Sequence, residues 1–434
     1  MSKSLPASLR AYRLLSAAAA PLAPIFLARR LARGKELRAR LPERRGEARI
    51  PRPDGPLVWL HGASVGELAS VLPLIERITQ RELNMLVTTG TVTSGGLAAQ
   101  RLPRGVVHQF VPLDVPRYVR RFLDHWRPDL ALFVESDLWP NLMIETSDRD
   151  VPLILLNGRL SERSLQRWRY LPDAIVNLLR RFDLCLARTP ADAGRFGELG
   201  AQHIVTTGNL KLDVPAPPAD EAKLLALKDA IAGRPLFAAA STHAGEETAI
   251  IDAHRRLRAE FPRLLTLIAP RHPERGLGVA EIAAAAGLTA ALRSRGEMPR
   301  DSTDIYVADT VGELGIAYRL APVVFVGGSL VRHGGQNPIE AAKLGAAILH
   351  GPHVWNFAEI YDELDNAGGA QPVADENALS VRISTLMKQP ELRASVAETA
   401  RDTVEGLGGA LERTLQSLDP YLMQLRLRQR ADHA

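Results

Sequence analysis

The sequence predicts two doubly wound α/β domains in tandem, each a parallel sheet with helices on both faces. Three observations carry that expectation. Short, uninterrupted apolar runs alternate with helix-like stretches along the chain, as strands buried on both faces require. A glycine-rich or polar string follows nearly every run, which is where such sheets present their ligand loops. A proline-rich break at 214–219 (VPAPPA) separates two halves with the same pattern. A chain of 434 residues exceeds one ordinary core, and 46% hydrophobic with 24% charged residues matches a soluble globular class.

The N-terminus comes first. Residues 14–28 (LLSAAAAPLAPIFLA) are apolar but carry Pro21 and Pro24, and a spanning helix wants about 20 apolar residues. Between Arg29 and Arg45 stand eight Lys or Arg against Glu36 and Glu43, much of the unevenness in a net charge of +5. One reading is a segment that dips into a membrane face with its arginines on anionic headgroups. The other is a core helix with a solvated basic face. Nucleic-acid binding is not expected, because no interleaved aromatics or known module accompany the cluster. A single cysteine, Cys185, excludes an internal disulfide and fits a reducing compartment.

In the first half the runs 57–60 (LVWL), 85–89 (MLVTT), 130–134 (LALFV), 151–156 (VPLILL), 184–187 (LCLA) and 204–206 (IVT) read as strands. In the second half 236–240 (LFAAA), 264–269 (LLTLIA), 305–307 (IYV), 323–326 (VVFV) and 346–349 (AAIL) repeat the pattern. The domain boundaries follow: a segment 1–46, an α/β domain 47–213 and a second α/β domain 214–434, with a cleft between the two domains.

Each post-strand string offers chemistry. In HGASVGE (61–67) Ser64 can cap the next helix, which puts Glu67 in its first turn, where the dipole and free amides hold a carboxylate ionised. Glu67 then reads either as a base or as the third member of a capping box. The string ESDLWPN (135–141) places Glu135 and Asp137 beside Trp139, for charge stabilisation and sugar stacking or for a helix cap and core packing. Arg159 and Arg163 in NGRLSERS (157–164) suit an anion or mark a solvated helix start. Lys211 in GNLKLD (208–213) is a cation for a leaving phosphate or an exposed lysine.

In the second half STHAGEE (241–247) resembles a loop-to-helix anion site, and PRHPER (270–275) offers Arg271 for a phosphate or base and His272 as a catalytic or, more usually for a lone histidine, a satisfied structural residue. The stretch 325–352 (FVGGSLVRHGGQNPIEAAKLGAAILHGP) reads strand, glycine loop, helix, strand. Asn337 is a good N-cap and Pro338 suits the first turn, so the free amides of that helix could face an anion. No GxxxxGK[ST], dinucleotide fingerprint, HExxH or GxSxG occurs. No metal or cofactor is expected.

Taken together, GASVGE, ESDLWPN, NGRLSERS, GNLKLD, STHAGEE, PRHPER and GGS…GGQNPIEAA…GPH…NF, in this order and spacing, resemble the 3-deoxy-D-manno-octulosonic acid (Kdo) transferases of lipopolysaccharide synthesis. The resemblance implies a glycosyltransferase B-type fold with one interdomain cleft. It implies inverting transfer of Kdo from CMP-Kdo to the lipid A precursor, lipid IVA, without a metal. It places Glu67 as general base and Glu135 and Lys211 at the transition state. It sets Pro270, Arg271, Val311, Gly312, Glu313, Asn337, Pro338, Ile339 and Glu340 against CMP. It also implies attachment by the N-terminus to the cytoplasmic face of the inner membrane. With Glu67 in one domain and the CMP-contacting residues in the other, closure of the two domains is expected to complete the site. The chain departs from the family's usual residues at Asp137 (Glu), Gln336 (His) and Gly158 (Ala). Another nucleotide-sugar transferase or epimerase of the same fold is the alternative.

Overall fold

The computed structural model describes residues 4–135 and 137–432 and divides into two compact units, 1–214 with 408–434, and 215–407. Ser136 of the ESDLWPN string lies outside the described residues.

Unit 1 is built on seven strands, β1 (Leu57–His61), β2 (Asn84–Thr89), β3 (Val107–Phe110), β4 (Leu130–Val134), β5 (Leu153–Gly158), β6 (Leu184–Ala187) and β7 (Ile204–Thr206). They lie in the order β3-β2-β1-β4-β5-β6-β7, all parallel. Successive side chains point to opposite faces, so Leu57 and Trp59 enter one core while Val58 and Leu60 enter the other. Both faces of the central strands are covered, which is why β1, β4 and β5 read as continuous apolar runs. The chain leaves β1 for β2 on one side and reaches β4 on the other, so the β1/β4 boundary is the switch point where such sheets open their ligand crevice.

Unit 2 repeats the plan with β8 (Leu236–Thr242), β9 (Leu265–Pro270), β10 (Ala290–Leu292), β11 (Ile305–Val307), β12 (Val323–Val326), β13 (Ala347–His350) and β14 (Ala370–Pro372). The order is β10-β11-β9-β8-β12-β13-β14, again parallel, with its switch point between β8 and β12.

The sequence reading put everything after 213 in the second domain. The last helix, Ala410–Asp432, instead belongs to unit 1. Its Leu415, Leu418, Leu422 and Leu425 are buried in the same core as Val58, Leu60 and Ile75. Asp213 fixes its start by accepting from the amides of Gly409 (2.7 Å) and Leu411 (2.5 Å), and Arg413 donates to the Thr207 carbonyl (2.7 Å).

At the N-terminus two helices, Ala7–Ala18 and Ala23–Ala32, are bent against each other. Among the described residues no single helix is long and apolar enough to cross a membrane, although this bent pair passes on length and composition. Leu9, Ala20, Ala23 and Leu27 face inward, whereas Leu14 and Leu15 are exposed, at 71% and 70%. The basic cluster is divided. Arg44 is buried against Glu36 (2.9 Å) and donates to the Gly90 carbonyl, Arg40 pairs with Glu43 (2.7 Å), and both guanidinium groups lie over the Phe110 ring. Arg29, Arg33, Lys35 and Arg38 remain exposed.

Because Leu418 is wholly buried in the unit 1 core, Leu418→Ala should cost about 3 kcal/mol in chemical denaturation. Leu427→Ala, on the exposed side of the same helix, should stay within about 0.5 kcal/mol. Equal effects would mean that the helix does not pack as described.

Candidate functional site

The unit 1 site forms where β1 and β4 end. Ser64 is extended (φ −106°), and its Oγ accepts from the Glu67 amide (3.2 Å), which starts the helix Val65–Thr79. The Glu67 side chain turns back. One carboxylate oxygen accepts from Ser64 Oγ (2.7 Å) and the other from the Ala63 amide (2.7 Å). The capping geometry is therefore present, but shifted by one residue from a reciprocal box, whose carboxylate would take the amide of Ser64 itself. Two fixed donors orient the carboxylate while it stays partly open to solvent.

Glu135 follows β4 with φ +62°, a left-handed conformation uncommon outside glycine and found where function constrains the backbone. Its amide donates to the Leu156 carbonyl (2.8 Å), which locks the turn, and its carboxylate meets Lys211 Nζ at 2.8 Å. Lys211 is delivered by a 3₁₀ turn, Leu210–Leu212, that Asn209 caps. Asn157, at the end of β5, accepts from the Leu210 amide (3.0 Å) and so ties that turn to the sheet. The three residues expected to do the chemistry thus converge from three sequence regions.

The electrostatics correct one expectation. A helix N-terminus alone would keep Glu67 at low pKa. Burial instead pushes it above the ordinary carboxylate value, and the charge of Glu135 adds to this; the bonds from Ser64 and Ala63 and the attraction of His61 oppose the rise without cancelling it. Glu67 is the stronger proton acceptor for it. Asp137 goes the other way. Burial would raise it, yet the hydrogen bond and attraction of His61, with help from Trp139, hold it low. His61 is itself buried, with Nδ1 on Thr88 Oγ1 (2.9 Å) and Nε2 at 3.5 Å from Asp137. Sequence reasoning missed His61. The available signal was its place as the last strand residue before a glycine.

The unit 2 candidates lie on three loops that follow β9, β11 and β12. Pro270 closes β9, and the amide of Arg271 donates to the Thr242 carbonyl (2.9 Å), leaving its side chain exposed. Arg271 acts electrostatically on both Glu340 and His243. Burial raises the pKa of Glu340 despite Arg271 and a hydrogen bond from Asn337 (3.3 Å). Asn337 Oδ1 accepts from the Ile339 amide (3.1 Å), so it performs the expected capping contact, although the helix opens one residue later than expected, with Pro338 at the cap position. His243 is driven down to about 4 by burial and by the charges of His333, His272, Arg271 and Arg275, so its ring is neutral near pH 7 and its Nε2 lies 3.0 Å from Gln336 Nε2.

Val311, Gly312 and Glu313 form the turn that leads into the helix Leu314–Leu320. Val311 is exposed, Gly312 makes a left-handed turn (φ +84°), and the Glu313 carboxylate is taken by Lys223 (2.7 Å), Arg293 (3.0 Å) and Thr310 (2.6 Å). Against the effect of burial, those partners hold it down at about 2. Contact of this turn with a ligand would fall to its backbone.

Two anion readings change. The helix at Asn337 runs only over Ile339–Lys343, because Gly345 turns left-handed (φ +73°) and ends it. Five residues give no useful helix terminus for a phosphate. The amides of the GGS loop are also already engaged: Gly328, Ser329 and Leu330 all donate to Glu246. STHAGEE is likewise closed on itself, since the His243 amide donates to the same carboxylate (2.9 Å). Among the described residues, no group of three or more His, Cys, Asp or Glu is arranged to hold a metal ion.

Comparison with known proteins gives a consistent result. Residues 39–214 match the family model described as 3-deoxy-D-manno-octulosonic-acid transferase (kdotransferase). The 3-deoxy-D-manno-octulosonic acid transferase of Bordetella pertussis is 36% identical over 95% of this chain and 99% of its own length. The enzyme of that name from Haemophilus influenzae is 33% identical over 93% and 96%. UDP-GlcNAc 2-epimerase from Neisseria meningitidis, solved with UDP-GlcNAc, shares the fold at 12% identity, with a TM-score of 0.58 over 84% of this chain and 99% of that one.

If Glu135 helps to raise Glu67, Glu135→Gln should move the Glu67 titration to lower pH. Carboxyl-resolved NMR of ¹³C-glutamate-labelled protein, assigned with Glu67→Gln, reads the midpoint. An unmoved or higher midpoint would remove Glu135 from the cause.

Proposed function

The chain belongs to the 3-deoxy-D-manno-octulosonic acid transferase family, glycosyltransferases of lipopolysaccharide synthesis with the glycosyltransferase B-type fold, and on that premise we propose that it transfers Kdo from CMP-Kdo to the lipid A precursor lipid IVA with inversion, Glu67 serving as general base. The observation that carries this reading is the Glu67 carboxylate, oriented by Ser64 and Ala63 and pushed up in pKa by burial and Glu135.

The reaction is one displacement. An acceptor hydroxyl oxygen bonds to the anomeric carbon of Kdo, and the bond from that carbon to the CMP phosphate oxygen breaks. The electron pair leaves with CMP, the hydroxyl proton passes to Glu67, and attack opposite the leaving group inverts the centre. A base whose pKa approaches the working pH is the efficient one. Glu135 stabilises positive charge growing on the sugar ring, and Lys211, fixed against Glu135 at 2.8 Å, offsets negative charge growing on the phosphate. In unit 2, Arg271 and the Asn337–Glu340 pair meet CMP, with Pro270, Pro338 and Ile339 shaping the contact and Val311, Gly312 and Glu313 offering backbone. Neither a cofactor nor a metal is part of the proposal.

The protein is proposed to act at the cytoplasmic face of the inner membrane, where a lipid acceptor lies. Leu14, Leu15, Leu22, Ile25 and Phe26 are exposed near Arg29 and Arg33, an apolar face with a basic border that suits an anionic bilayer surface.

The test is incubation with CMP-Kdo and lipid IVA, followed by mass spectrometry of the product. Glu67→Gln should lower kcat/KM by about 10²–10⁴ while leaving CMP binding unchanged. Near-normal transfer by that variant would refute the base, and no Kdo addition by the unaltered protein would refute the function.

A further inference from the structure

The glycine loop after β12 has the form of an anion site, and its anion is supplied by the chain. Glu246 opens the helix Glu246–Leu257 and is fully buried. One carboxylate oxygen accepts from the amides of Ser329 (2.9 Å) and Leu330 (2.9 Å), and the other from those of Gly328 (2.7 Å) and His243 (2.9 Å). Successive amides converging on one point form the nest that binds phosphate in other proteins. A buried carboxylate persists only when fully hydrogen-bonded, and four amides meet that requirement. The adjacent Glu247 differs, since it pairs with Arg275 (3.1 Å) and Thr242.

The nest also holds the loop beyond it. The carbonyls of Gly327 and Gly328 accept from the amides of Gln336 (3.0 Å) and Gly335 (2.7 Å), immediately before Asn337. Gly327 lets this loop lie against the end of β8, because a Cβ there would lie 2.6 Å from the Ser241 carbonyl oxygen. Tyr361 donates to the Gln336 carbonyl (2.9 Å), and the Gln336 side chain meets His243. A continuous chain of hydrogen bonds therefore runs from Glu246 through Gly328–Leu330 and back to Gln336.

We propose that Glu246 is a positioning residue: its carboxylate fills the Gly328–Leu330 nest as a permanent internal anion and sets the place of the segment carrying Gln336, Asn337 and Glu340. This rests on the reading that unit 2 takes the nucleotide. It also assigns the phosphate to groups outside the nest, Arg271 first among them, because the nest amides are already spent.

Hydrogen exchange of the full-length protein, resolved to the amides of 328–330, tests the occupancy. The proposal expects strong protection without nucleotide and little further change with CMP. Free exchange without CMP that becomes slow on its addition would overturn the proposal and return the nest to the nucleotide. This result is read in the unliganded protein, so it stands apart from whether CMP binds at all. In Glu246→Ala the KM for CMP-Kdo should rise at least about tenfold, the scale of a lost charged hydrogen-bond set, with the acceptor KM unchanged. Added formate, an anion small enough for the vacated nest, should restore most of the loss in Glu246→Ala and none in Glu246→Gln, whose amide keeps the site filled. An unchanged donor KM, or a loss that formate leaves untouched in a folded Glu246→Ala, would contradict the role. If Glu246→Ala does not fold, the exchange measurement on the unaltered protein decides.

Discussion

In each unit a glutamate just after the first strand bends back onto its own backbone, and the properties of both sites follow from what that carboxylate meets. Glu67 takes the Ala63 amide and the Ser64 hydroxyl. Glu246 takes the His243 amide and three more from the loop across the switch point. The local device is the same, but the neighbour differs. Opposite Glu67, the loop after β4 presents a second carboxylate, Glu135, whose charge reinforces burial in raising the pKa. Opposite Glu246, the loop after β12 presents amides. One carboxylate is thereby made more basic and the other is held by four amides.

The doubly wound topology makes this pairing unavoidable. In sheet order, β1 neighbours β4 and β8 neighbours β12, although each pair is far apart in sequence. The loops that leave these strands start side by side at the carboxyl edge. With both faces of each sheet buried by helices, that edge is where polar side chains can gather. Lys211 arrives by a different route, on a turn held by Asn157 at the end of β5 and continued into Asp213, which caps the returning C-terminal helix. Packing of that helix and placement of Lys211 are parts of one local structure.

Much of this was legible in the sequence. Eleven of the strands showed as apolar runs; in the central ones burial on both faces leaves no polar alternation to blur them. The exceptions were β3 (VHQF), β10 (AAL) and β14 (AQP), edge strands of three or four residues. The strings around Glu67, Glu135 and Lys211 singled these residues out but left each a structural alternative, and their roles came from the family resemblance. Other features depend on contacts that no local pattern encodes. The Glu246 carboxylate meets amides more than 80 residues away. The face of Ala410–Asp432 is apolar, but its pattern does not say which sheet it covers. The sign of the Glu67 shift needed burial and Glu135, not the helix terminus alone.

The central claim is that Glu67 accepts the acceptor's proton from an environment that makes it more basic than an ordinary carboxylate. The most direct measurement is the pH dependence of kcat/KM for the unaltered protein, which reports the essential base of the free enzyme. Because Glu67 must be deprotonated to act, its raised pKa predicts a single-proton acid limb, activity falling as pH falls, with a midpoint above the ordinary glutamate value. A rate that stays flat down to that value, or rises with acidity, would contradict the account.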